Sequence, residues 1–108
     1  MMTSKQFQRL LARDAYCLHC GETERLAPNH RVNRGMGGSK LLDRPANIVL
    51  LCSRFNGLIE SDSEAARIAR LHGWKLERWQ VPEEVPVTDL MTGRKWLLGA
   101  DWSKITVL

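Results

Sequence analysis

The chain predicts an α+β fold: three helical stretches and several short strands around one small core. Three observations carry that prediction. Residues recur at helical spacing behind capping signals near the N-terminus and again over 62–72. Two short apolar segments, 26–32 and Ile48 to Leu51, read as strands. From Gly73 onward the sequence alternates in short runs broken by Pro82, Pro86, Gly93 and Gly99, which suits short antiparallel strands.

Bulk properties narrow the classes. A chain of 108 residues is the length of one domain, able to bury a core of modest size. The net charge of +4 favours a polyanionic partner, and it is concentrated towards the first forty residues. No stretch reaches membrane-spanning length and the polar N-terminus lacks a signal-peptide core, so a cytoplasmic protein with no membrane partner is expected. Three cysteines, two of them at C-x-x-C spacing, suit a metal site better than a secreted disulfide framework.

Taken in order, Thr3 or Ser4 caps a first helix. Phe7, Leu10 and Leu11 lie on one face and Lys5, Arg9 and Arg13 on another. Cys17-Leu18-His19-Cys20-Gly21 reads as a metal knuckle, with Gly21 letting the backbone turn away. The strand at 26–32 carries Asn29, His30 and Arg31. Arg34 to Lys40 follows, with three glycines between two cations. Such a loop can approach a phosphate closely, although a plain surface loop is the commoner role. Asn47 leads into Ile48-Val49-Leu50-Leu51, and Ser53 to Glu60 turns helical, placing Asn56 in its first turns. Ser61 caps a further helix, Asp62 to His72, closed by Gly73. Gly73 to Trp79 alternates like a strand. Val85 to Thr88, Lys95 to Leu98 and Ile105 to Leu108 read as strands too, and the tryptophans of this last third as core or sheet-covering residues.

At Asn29-His30-Arg31, Asn47 and Cys52-Ser53-Arg54-Phe55-Asn56, with the upstream Cys17 and Cys20, the chain resembles the HNH (His-Me finger) nucleases, particularly the small phage-encoded kind. The resemblance covers about residues 16–62. It implies a ββα-metal core over that span; outside it, the residues read as a basic helix over 1–15 and a helix and β-rich extension over 63–108 in the same domain. It implies hydrolysis of DNA phosphodiesters with His30 as general base and Asn47 bracing the loop that orients it. Asn29 and Asn56 would hold one catalytic Mg²⁺ or Mn²⁺, since amide oxygens are hard ligands. Arg31, Arg34, Lys40 and Arg54 would contact DNA. Cys17, Cys20 and Cys52 are the candidate ligands of a structural Zn²⁺, with His19, His72 or water as the fourth. Phe55 stands where the family often has its fourth cysteine, which leaves packed thiols as the alternative. The family further implies a monomer or homodimer that nicks or cuts DNA, with terminase or another packaging protein as partner. Two other functions fit the same residues: a non-catalytic nucleic-acid-binding module, and an accessory activator of a larger nuclease.

Overall fold

The computed structural model describes residues 2–33 and 40–107. Helix α1 (Ser4–Asp14) begins at a capping box: Thr3 accepts from the Gln6 backbone, and the Gln6 side chain accepts from the Thr3 N–H. Strand β1 (Leu26–His30) pairs antiparallel with β2 (Ile48–Cys52), Leu26 opposite Cys52 and His30 opposite Ile48. All five residues of β2 are buried, because the strand is covered on both faces. Val49 and Leu51 join a core with Phe55, Ile59, Ala69 and Trp74, while Ile48 and Leu50 pack with Leu10 of α1.

The end of α1 is pinned to β2 by polar groups. Asp14 accepts from the Leu50 N–H at 2.9 Å, and the Arg13 guanidinium pairs with Asp14 at 2.7 Å and donates to the Pro45 carbonyl. Arg13 was expected among outward-facing cations. It is buried instead, because these acceptors satisfy its charge inside.

Helix α2 (Ser53–Ser61) follows β2 without a loop; Cys52 ends the strand and caps the helix, its Sγ accepting from the Phe55 N–H at 3.4 Å. Helix α3 (Ser63–Leu71) is capped by Asp62, not Ser61. The Asp62 carboxylate accepts from the Ala65 N–H at 3.0 Å, and α2 runs on through Ser61. Gly73 ends this unit at φ +77°. Any Cβ there would stand 2.1 Å from the Pro86 carbonyl oxygen, so only glycine fits.

The expected strand at 73–79 does not form. The N–H groups of Trp74 and Lys75 both turn back to the Ala69 carbonyl, and the Leu76 N–H goes to Arg31, so the segment wraps around the end of β1. Its alternation reflects the burial of Trp74 rather than a ladder. The remaining strands, β3 (Val87–Asp89), β4 (Arg94–Leu98) and β5 (Lys104–Val107), form an antiparallel meander in that order. This sheet docks through β3: Thr88 accepts from the Trp74 indole N–H, and Tyr16 bonds Asp89. Of the four tryptophans, Trp79 departs from the expected covering role and is 79% exposed. Among the described residues, no helix is long and apolar enough to cross a membrane.

Candidate functional site

Alternation along β1 separates three adjacent residues that the sequence grouped together. Asn29 and Arg31 face inward and His30 faces out, as the pleat requires. The His30 side chain is 23% exposed, and its Nε2 lies 2.8 Å from Asp43 Oδ1. It borders an open cavity of about 250 Å³ lined by Pro28, Asn29, Asn33, Asn56, Glu60 and Lys75 as well. Asn56 and Glu60 are four apart on α2 and so share the helix face turned to this cavity.

Asn29 is 2% exposed, and its Nδ2 donates to the Trp74 carbonyl at 2.7 Å. That bond fixes the amide plane and leaves Oδ1 as its remaining acceptor. Asn47 is fully buried. Its Oδ1 accepts from the Val32 N–H at 2.8 Å, and its Nδ2 donates to the Val32 and Leu42 carbonyls at 3.1 and 2.7 Å. One amide thus ties both ends of the connection between β1 and β2, and Leu42 is the neighbour of Asp43, the partner of His30.

Arg31 corrects an expectation. It was expected on DNA, yet it is 0% exposed. Its guanidinium donates to the carbonyls of Gly73, Ala46, Pro82 and Val85 at 2.6–2.9 Å. Burial pushes its pKa down to about 9, with Arg13 adding repulsion. The residue is an interior clamp between the end of β1 and the segments at 73 and 82–85, out of reach of any phosphate. Arg54 is exposed in the first turn of α2, where a contact with a polyanion is open to it. Arg34 and the side chain of Lys40, the other expected DNA contacts, lie outside the described residues.

Two residues that sequence reasoning missed bond His30. Asp43 sits in a short helical turn, Lys40–Asp43, with no periodic signal to single it out. Lys75 has a side chain only 11% exposed; its Nζ donates to the His30 carbonyl at 2.7 Å and to Asn33 Oδ1 at 2.8 Å. Glu60 faces it at 3.8 Å. Burial holds the Lys75 pKa below the usual lysine range, and Glu60 offsets part of that shift.

The opposite end of the β1–β2 ladder carries the cysteines. The Sγ atoms of Cys17, Cys20 and Cys52 lie within 4.8 Å of one another. Three sulfurs around one tetrahedral zinc, each at about 2.3 Å, would be about 3.8 Å apart, so a small closure makes a three-thiolate site. Cys17 is buried, and burial raises its pKa to about 11; without an ion it is a neutral thiol. Phe55, where a fourth cysteine was sought, is buried with its ring stacked on His19 at 3.9 Å. The Nδ1 atom of His19 is buried without a hydrogen-bond partner.

The described residues therefore define a small α+β domain with three α-helices, two antiparallel sheets, a cysteine cluster able to hold a metal ion, and an imidazole-bearing cavity. Neither protein-family models, curated proteins nor solved structures match this chain.

Proposed function

We propose that this chain is a metal-dependent endonuclease of the HNH type, hydrolysing DNA phosphodiesters with His30 as general base. The observation that carries the proposal is the shared cavity: His30, Asn29 and Asn56, far apart in sequence or on opposite faces of a strand, all border it. A strand, a long connection, a second strand and a helix bring them there, which is the order a ββα-metal core has. In this function the Nε2–H of His30 donates to the Asp43 carboxylate, leaving Nδ1 to take the proton of an attacking water. Asp43 holds the ring in that tautomer and stabilises the imidazolium that forms. Asn47 holds the connection that carries Asp43. The amide oxygens of Asn29 and Asn56, with the Glu60 carboxylate, form a hard donor set suited to Mg²⁺ or Mn²⁺. Such an ion supplies positive charge to the phosphate and the departing oxygen. Neutral amides hold a divalent ion weakly, and Lys75 nearby repels it, so tight metal binding is expected only with DNA present.

The cysteine cluster belongs to the same proposal as a structural zinc site that fixes the other end of the ladder. By family resemblance the cleaved ends are a 5′-phosphate and a 3′-hydroxyl, and the partners are DNA and genome-packaging proteins. A second function draws on one observation: a His30–Asp43 contact would serve equally as a structural ion pair in a nucleic-acid-binding module without hydrolysis. Incubating supercoiled plasmid with the protein and Mg²⁺ or Mn²⁺ separates the two. Nicked product that disappears with EDTA supports the nuclease. Plasmid that is bound but left intact under every metal tried supports the binding module.

A further inference from the structure

We propose that Lys75 binds a nucleic-acid phosphate at the inner end of the His30 cavity, holding the backbone beside the imidazole. The inference rests on the nucleic-acid part of the function above and not on hydrolysis.

An ammonium has three N–H donors. In Lys75 two of them are taken up by the His30 carbonyl and Asn33 Oδ1, at 2.7 and 2.8 Å. Glu60, its ion-pair partner among the described residues, has its carboxylate oxygen at 3.8 Å, beyond hydrogen-bond reach. Glu60 is also largely exposed, its side chain at 68%. The third donor is therefore available to a ligand, and it belongs to a side chain that borders the cavity. Its carbonyl acceptor is that of His30 itself, and the imidazole borders the same cavity.

Placement reinforces the chemistry. Lys75 borders a second cavity of about 160 Å³, lined also by Asn33, Glu60 and Arg70. The two cavities share Asn33, Glu60 and Lys75 in their linings, and the second also has the exposed Arg70 in its wall. A polyanionic strand that reached both cavities would meet Lys75 in each and Arg70 in the second, with the carboxylates of Glu60 and Glu77 also in the walls. Lys75 thus fills the role that Arg31, clamped in the interior, cannot. A strongly hydrated ammonium held this far from water is costly, and a phosphate oxygen offsets that cost.

Two measurements test the proposal. The first uses wild-type protein: inorganic phosphate is titrated in without metal while backbone amide shifts are followed by NMR. Saturable shifts at Asn33, Lys75 and Leu76 are expected; shifts spread over the surface without saturation overturn the proposal. The second compares wild type, Lys75→Gln and Lys75→Arg in EDTA, reading the affinity for a short DNA duplex across a range of salt. Lys75→Gln should bind several-fold more weakly and lower the slope of log K against log salt by about one, with Lys75→Arg restoring it. A purely structural lysine would lower the melting temperature and leave that slope unchanged, and this result also overturns the proposal. Wild type that binds no DNA would remove the nucleic-acid function as a whole, whereas wild-type binding with an unchanged Lys75→Gln slope removes only the role of Lys75.

Discussion

At the Leu26–Cys52 end of the β1–β2 ladder, Cys17 and Cys52 are packed into the core with Cys20 exposed beside them; at the His30–Ile48 end an imidazole and an ammonium border an open cavity. The same two five-residue strands hold both. The difference lies in where the chain goes beyond each end. Cys52 runs straight into α2 and faces the knuckle, so its surroundings are closed by Phe55 and the His19 ring. Beyond His30 the chain leaves the sheet, held at Val32 and Leu42 by Asn47, and among the described residues a cavity lies open between β1, α2 and Lys75. Under the proposed function, the closed end carries fold stability and the open end carries the chemistry. Perturbing the first should therefore unfold the protein, and perturbing the second should silence it without unfolding it.

The largest effect is expected from metal removal at the closed end. Elemental analysis should find zinc in the purified protein, and a strong chelator should lower the melting temperature by well over ten degrees. Structural zinc sites contribute roughly 10 kcal/mol or more to folding. Metal-free protein with unchanged melting would identify the cysteines as packed thiols.

Next comes Arg31→Met, which removes a buried cation from four carbonyls, of which that of Pro82 keeps only a long bond from the Val85 N–H. A loss of about 3–5 kcal/mol in urea unfolding is expected. A loss under 1 kcal/mol would show that Arg31 is no clamp.

At the open end, Asp43→Asn should keep the melting temperature and slow plasmid nicking roughly 10–100-fold, because an amide orients His30 less well and cannot stabilise an imidazolium. Loss of stability instead of activity would place the His30–Asp43 pair on the structural side of the contrast.

The smallest effect concerns His72, whose ring tilts on Trp74 at 5.1 Å. Burial first, and then Lys95, hold its pKa below the usual histidine value. The folded protein then binds fewer protons than the unfolded chain as pH drops below the unfolded value of about 6.5, so stability falls there. The urea midpoint should decline slightly between about pH 7.5 and about pH 5.5, and His72→Gln should flatten part of that decline.

Much of the frame around the cavity was legible. The apolar run at 48–51 marked β2, and the helix read from Ser53 onward is α2; Asn47 bonds Val32 and Leu42 on the two sides of the connection. The side-chain directions on β1 were legible too, had the alternation been followed one residue further: with His30 outward, Arg31 must point in. No local pattern revealed the wrap of 73–76 around the end of β1. Its contacts join residues some 40 positions apart, and the alternation of Trp74 and Leu76 imitated a strand. Lys75 was hidden by the same error, since a lysine between two apolar strand residues reads as a solvated side chain. Asp43 was hidden because loops carry no periodicity.

The contrast between the two ends is tested most directly by His30→Ala, with thermal melting and single-turnover plasmid nicking measured on one preparation beside wild type. The expected result is a melting temperature within a few degrees of wild type and a nicking rate lower by roughly 10²–10⁴-fold. Nicking by His30→Ala at the wild-type rate would contradict the account.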